Sequence, residues 1–304
     1  MRATDAAVLG VDLGGTKCHA VLADGSGRVV DEVYRNSDHL PDPVDVLLGV
    51  IGDLRASAAA CRLAVCGIAI GVPAFIDPDS GLVVGGWNLG WDRFDLRARL
   101  DAVLSEPYTI DNDVNLAALG EARSGAGQGA RCFATVAIGT GLGGAVVVDG
   151  QVLRGRHGAA GEFGFLLADR GQLGRRGLMG MESRVGGPWI GARMRELAPD
   201  SAVLGAAAVF AAASDGDPIA VQVLTELVEH VAMTIVDVTA VVDPEVVVLD
   251  GSVGRSLGPY LGQLVELVEP SVLYPPDVRI STLAPNSTLA GAVAEAWRVG
   301  APAG

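Results

Sequence analysis

The chain has 304 residues, half of them hydrophobic and 19% charged, and its 36 acidic against 22 basic side chains give a formal charge of −14. That length admits two modest lobes, since single cores stop growing near about 250 residues, and the apolar content excludes a disordered chain. The acidity argues against phosphate backbones and anionic lipid surfaces, so neither nucleic acid nor membrane is expected as a partner. The opening MRATDAAVLGVDLGG has no long apolar stretch after Arg2, which predicts no signal peptide and a cytoplasmic location. Cys18, Cys61, Cys66 and Cys132 match neither a CxxC redox pair nor a zinc ribbon, and they are expected as buried free thiols.

In chain order, AVLGVDL and CHAVLAD read as strands around a GGTK turn, and a GSG turn leads into a third strand, RVVDEVY. A helix is predicted from about Val44 to Ala60, then the apolar strand LAVCGIAIGV and a loop rich in Gly, Pro and Asp from Gly71 to Gly86. The short strand YTI precedes a helix opened by the run Asp111-Asn112-Asp113, with Val114, Ala117 and Ala118 on one face. FATVAIGTGLGGAVVVDG repeats the strand, turn, strand pattern of VLGVDLGGTKCHAVLADG, which predicts two related lobes. Asp217 and Pro218 have the chemistry of an N-cap and a first helical residue, opening a long helix that ends before Pro244. The strand EVVVLD then turns through GSVG into a helix, and VRIST and LAGAVAEAW close the chain as strand and helix.

Asp12-Leu13-Gly14-Gly15-Thr16-Lys17 between two strands carries the chemistry of a phosphate loop. Glycines let backbone N–H groups approach phosphate oxygens, and the acid can hold a hydrated Mg²⁺. An ordinary Gly-Gly hairpin is the alternative for this motif taken by itself. A second loop, Gly139 to Gly144, and a third close-approach turn, Asp250 to Gly254, tip the balance toward a nucleotide.

With these pieces in this order the chain resembles the ROK family (repressors, open reading frames and sugar kinases) of the actin, Hsp70 and hexokinase superfamily. The marks are GVDLGGTK, GIAIGVPAFID, NLGW, DNDVNLAALGE, AIGTGLGGAVVVDG, GAAGEFG, the later Glu182, VDPEVVVLDGSVG and the final LAGA, which together span nearly the whole length. The resemblance implies an α/β, two-lobed actin-like ATPase fold of the ribonuclease H-like kind with a cleft between lobes. Residues 1–111 would form the small N-terminal lobe and 112–287 the large one, with the C-terminal helix 288–299 packing back onto the first. It implies a homodimeric kinase that uses Mg²⁺ and ATP to phosphorylate the primary hydroxyl of a hexose or hexose-like ring. On that pattern Asp113 is the general base, and Asn88, Asn112, Glu162 and Glu182 hold the ring hydroxyls. Asp12, Gly14, Gly15, Thr16, Lys17, Gly139, Thr140 and Gly141 would line the phosphates, with Asp12 steering Mg²⁺ through water. Gly251 and Ser252 would sit near the adenosine, while Thr16 and Thr140 could equally be plain turn hydroxyls.

Two departures from the family pattern stand out. Zinc-containing members carry a histidine after the GExG glutamate and a CxCGxxGCxE block. Here Phe165 takes the histidine's place and the block reads LGRRGLMGME, with Leu173, Arg175 and Gly180 where thiolates would be, so no zinc is expected and packing or ion pairs from Arg175 and Arg176 must hold the loop. A phenyl ring cannot satisfy a hydroxyl, and leaving one buried and unpaired costs ~1–3 kcal/mol, which points away from plain glucose toward a modified ring such as kanosamine or a C7-cyclitol. His157 reads as a loop residue. The competing readings are a sugar-sensing pseudokinase, a polyphosphate-dependent glucokinase and a sugar-responsive repressor. A repressor would need a helix-turn-helix ahead of a first motif that starts within a dozen residues.

Overall fold

The computed structural model describes residues 5–36, 42–174, 180–283 and 286–301, which form two units. One comprises Met1–Gly125, Arg154–Ala160 and Leu283–Gly304; the other comprises Ala126–Leu153 and Gly161–Thr282. The expected boundary after residue 111 thus falls inside the first unit.

The chain begins with strands β1 (Ala6–Leu13), β2 (Lys17–Asp24) and β3 (Val29–Asn36), then helix α1 (Pro43–Ala60) and strand β4 (Ala64–Val72). A ribbon of β5 (Phe75–Ile76) and β6 (Val83–Val84) lies within the expected loop, followed by α2 (Leu96–Asp101), β7 (Tyr108–Asn112) and α3 (Asp113–Ser124). The other unit has strands β8 (Cys132–Ile138), β9 (Leu142–Val148) and β10 (Gln151–Val152), and helices α4 (Glu182–Val185), α5 (Gly187–Leu197), α6 (Ala206–Ser214) and α7 (Pro218–Val242). It closes with β11 (Val246–Asp250), α8 (Gly251–Ser256), α9 (Leu261–Val268) and β12 (Asp277–Ile280), after which α10 (Ser287–Gly300) returns to the first unit.

The two five-stranded sheets share one topology. The first runs β3-β2-β1-β4-β7 and the second β10-β9-β8-β11-β12, each with an antiparallel meander followed by two parallel strands. This duplicated mixed sheet with its crossover helices is the α/β actin-like, ribonuclease H-like arrangement, and the two glycine-rich turns occupy equivalent positions between the first two strands of each sheet.

In the first unit, period-2 alternation divides β1 between two cores. Ala7, Leu9, Val11 and Leu13 pack with α1, whose start is capped by the Asp42 carboxylate accepting from Val44 N. Val8 faces the other way, with Ala69 of β4, Leu116 of α3, and Ala292 and Ala296 of α10. The same alternation places Gly10 and Asp12 on that second face. Its small residues let α10 approach closely: a Cβ on Gly10 would lie 3.1 Å from Val293, and one on Gly291 would lie 2.6 Å from the Leu116 carbonyl carbon.

In the second unit α7 is the central helix. Asp217 caps it through Ile219 N and Ala220 N, Pro218 opens it, and Val223, Leu224, Leu227, Val228, Val231 and Ile235 are buried beneath it. Its length and hydropathy match a membrane span, but that apolar face is spent on the core of this unit.

The cysteines depart from expectation. Cys18 is buried, but Cys66 and Cys132 are half-buried and Cys61 is exposed, because it caps the end of α1 at the surface.

Candidate active site

Parallel strands deliver their carboxyl ends to one edge of the first sheet. Asp12 of β1 pairs with Gly71 of β4, and Gly71 pairs with Asp111 of β7, so the phosphate-loop acid and the start of the Asp-Asn-Asp run stand in one row across three strands. Gly71 also lets α3 approach, since a Cβ there would lie 3.5 Å from the Asp113 Cα.

Strand β7 extends through Asn112, further than the YTI expected, because pairing with β4 continues to Val72. Asn112 is therefore the N-cap of α3: its Oδ1 accepts from Val114 N at 2.9 Å and Asn115 N at 3.1 Å, while its Nδ2 donates to the Ala74 carbonyl at 3.2 Å. Asp113 is the first helical residue, half-buried, with Oδ1 accepting from Val114 N at 2.9 Å. A carboxylate there is favoured by the helix dipole. Buried Asp111 supports the run from behind by accepting from Asn112 N, from Asn115 Nδ2 and from the Arg154 guanidinium. Arg154 comes from a segment far along the chain, which also pairs Arg156 with Asp79 at 2.6 Å.

The first glycine turn is closed by Gly14 N donating to Lys17 O at 2.8 Å, with Thr16 and Lys17 exposed. Gly15 lies against the Asn88 backbone: a Cβ would meet the Asn88 carbonyl oxygen at 2.8 Å. Asn88 itself sits exposed in the 3-10 turn Trp87–Leu89. The first unit thus brings Asp12, Gly14, Gly15, Thr16, Lys17, Asn88, Asn112 and Asp113 to one edge.

Desolvation pushes the Asp12 carboxyl above its usual range, against the opposing hydrogen bond from Asn286 and the positive charges of Lys17 and His19. Asn286 Nδ2 donates to Asp12 Oδ2 at 2.7 Å. A hard oxygen whose charge is poorly compensated by its surroundings fits a hydrated Mg²⁺. Among the described residues no group of three or more His, Cys, Asp or Glu is placed to hold a metal directly.

The second unit gathers the remaining residues. Gly139 N donates to Gly141 O at 3.0 Å, and Gly187 N donates to Gly139 O at 2.8 Å, bracing the turn from the start of α5. Glu182 Oε2 accepts from Leu142 N at 2.8 Å, and a Cβ on Gly141 would collide with that carboxylate. Gly251 has φ of +78°, and a Cβ there would crowd the Ile138 backbone, so the turn into α8 packs directly onto the end of β8. Ser252 is exposed beside it, with Oγ 4.0 Å from the position a Gly139 Cβ would take. Asp250 is buried and pairs with Arg255 at 3.3 Å.

Glu162 precedes the 3-10 turn Phe163–Phe165 and makes no capping hydrogen bond. Burial, helped by the like charge of Glu182, pushes its carboxyl up to about 7. Phe165, 46% exposed, ends the 3-10 turn that Glu162 precedes. Of the expected zinc-block positions, Leu173 is exposed and Gly180 packs on Leu166, whereas Arg175 and Arg176 lie outside the described residues.

Sequence reasoning missed three contributors: Arg154, Asn286 and Thr288, whose Oγ1 donates to the Asp113 carbonyl at 3.2 Å. The polar pair Asn286-Ser287 ahead of LAGA was the available signal, as an N-cap pattern.

The sequence model of the ROK family matches residues 8–297. A glucokinase of Halalkalibacterium halodurans is 30% identical over 313 residues, covering 96% of this chain and 94% of that protein. A ROK family glucokinase from Streptomyces griseus, solved in complex with glucose and AMPPNP, superposes with a TM-score of 0.81 at 25% identity, covering 96% of this chain and 99% of that one. A ROK family transcriptional regulator, a homolog of the E. coli MLC protein, shares the fold with a TM-score of 0.84 at 24% identity, this chain covering 80% of it. With the doubled sheet, the paired glycine turns and these relatives in agreement, the chain belongs to the ROK family, as one of its sugar kinases.

Proposed function

We propose that the protein transfers the γ-phosphoryl group of ATP to the primary hydroxyl of a hexose-like ring, with Asp113 as the general base. The observation that carries this reading is the placement of Asp113 at the first position of α3, two residues beyond Asp111, which stands in the sheet-edge row of Asp12; the Asp113 carbonyl accepts from Thr288 and its Cα lies close against Gly71. A carboxylate fixed there can accept the proton of an attacking hydroxyl, a contribution worth about 10²–10⁴-fold in rate.

Glu162 and Glu182 hold ring hydroxyls, joined by Asn88 and the remaining amide hydrogen of Asn112. Glu182 keeps one oxygen on Leu142 N, so it ties the second glycine turn to the sugar. Gly14 to Lys17 and Gly139 to Gly141 line the phosphates, with the backbone N–H groups of Gly15, Thr16, Thr140 and Gly141 as donors, and Gly251 and Ser252 flank the nucleoside. Mg²⁺, held through water on Asp12, supplies charge neutralisation of the phosphates when bound. The exposed ring of Phe165, three residues after Glu162, suits a sugar whose facing end lacks a hydroxyl or carries a substituent, such as kanosamine or a C7-cyclitol. A cytoplasmic homodimer completes the proposal.

The test is ADP release from Mg·ATP against glucose, mannose, amino-hexoses including kanosamine, and C7-cyclitols, with polyphosphate as an alternative donor. One ring is expected to turn over, and Asp113→Asn to lower kcat by at least about 10²-fold with sugar affinity retained. Turnover by Asp113→Asn within tenfold of the parent would remove Asp113 from the base role.

A further inference from the structure

We propose that Asn286 is the positioning residue for Asp12, an inference that rests on the reading of Asp12 as the group that steers Mg²⁺. Both ends of its side-chain amide are committed. Oδ1 accepts from Leu289 N at 3.1 Å and so caps α10, while Nδ2 donates to Asp12 Oδ2 at 2.7 Å. The cap therefore decides which atom faces Asp12: with the oxygen held by the helix, the NH₂ group must point at the carboxylate. Among the described residues Asn286 supplies the one hydrogen bond to that carboxylate, which fixes its rotation and leaves Oδ1 for the hydrated cation.

Helix capping by itself does not call for asparagine. Asp and Ser cap about as well as Asn, and Gly loses only a few tenths of a kcal/mol. An aspartate would set a second carboxylate against Asp12, whereas serine and glycine offer no amide donor. The choice of Asn over the other caps is thus explained by Asp12 and not by the helix. Two residues further on, Thr288 Oγ1 donates to the Asp113 carbonyl at 3.2 Å. One turn of α10 consequently orients the cation-steering carboxylate and anchors the backbone of the base, although Asn286 lies 274 residues from Asp12 in sequence.

The experiment compares wild type, Asn286→Ser, Asn286→Gly and Asp12→Asn in Mn²⁺ binding with ADP present, read by electron paramagnetic resonance. Unfolding midpoints and steady-state kinetics accompany it. Outer-shell partners of metal sites typically contribute about 10–100-fold in affinity. Both Asn286 variants should weaken Mn²⁺ binding about tenfold or more and raise the Mg²⁺ concentration for half-maximal turnover. The sugar KM and the unfolding midpoint should stay close to those of wild type. If Asp12→Asn weakens Mn²⁺ binding and neither Asn286 variant does, the inference fails while the role of Asp12 stands. If Asp12→Asn leaves Mn²⁺ binding unchanged, the reading of Asp12 fails and takes the inference with it. Affinity that falls only in step with the unfolding midpoint in both variants assigns Asn286 a purely structural role and overturns the proposal.

Discussion

Replacing Gly291 with alanine should separate α10 from α3 and disable the enzyme from a distance. The new Cβ would lie 2.6 Å from the Leu116 carbonyl carbon and 2.9 Å from Gly120 N, both backbone atoms of α3 that cannot swing aside. Ordinary contact begins near 3.4 Å; relieving the carbon alone takes 0.8 Å, and the Leu116 carbonyl oxygen, which lies closer still, requires the seam to open further. Overpacking of this kind costs about 1–3 kcal/mol and more where backbone must move; at about 3 kcal/mol, a unit of this size should lose roughly 6–12 °C in unfolding midpoint. The displaced helix also carries Asn286 and Thr288 away from Asp12 and Asp113, so kcat should fall with the midpoint. The matched control is Gly52→Ala on α1, where a Cβ meets nothing within 4 Å. That change should stabilise by about 0.5–1 kcal/mol through helix propensity. Calorimetry and turnover on both variants test the argument. Gly291→Ala with a midpoint within 2 °C of the parent and unchanged kcat would refute the close packing on which it rests.

Three further outcomes are expected. Because the Glu162 carboxyl is held up near 7, above its ordinary 4.5, its contribution to stability is full below about pH 4.5 and is lost as pH rises through 7. Urea midpoints of Glu162→Gln should accordingly lack that decline between pH 5 and 8; an unchanged profile would show that Glu162 ionises normally. Arg154→Ala should leave the buried Asp111 carboxylate without its cation, at about 1–2 kcal/mol given the half-exposed arginine. Turnover should fall as the Asp-Asn-Asp run loosens, and full activity at unchanged stability would count against that support. Gly251→Ala, strained at positive φ and crowding Ile138, should raise the KM for ATP severalfold with sugar affinity preserved, and a change confined to the sugar would contradict the proposed placement of the nucleoside.

Local patterns made much of the fold legible. The strand-turn-strand units at Asp12 and Gly139 and the Asp217-Pro218 helix start depend on period-2 alternation and capping chemistry within a few residues, and each appears where the letters place it. Boundaries set by partners were less readable. The strand β7 runs on through Asp111 and Asn112 because β4 supplies a neighbour, which makes Asn112 the cap and moves the helix start to Asp113. Helix α6, mostly alanine, carries little apolar periodicity of its own and owes its place to packing near α7. The supporting contacts of the site were invisible for the same reason: Arg154 reaches Asp111 across 43 residues and Asn286 reaches Asp12 across 274, separations at which side-chain chemistry predicts no pairing.

The return of α10 to the first unit also orders events during synthesis. Until the ribosome has made α10, Val8, Ala69 and Leu116 have no Ala292 or Ala296 to cover them, and part of one face of the first sheet stays exposed. The other unit, made of Ala126–Leu153 and Gly161–Thr282, can complete its own core before that helix emerges. Nascent chains therefore carry an exposed apolar sheet face from the completion of β7 until α10 emerges, the condition under which newly made proteins depend on chaperones. Stop codons that remove the last helix should yield insoluble product even though every strand of both sheets has been made.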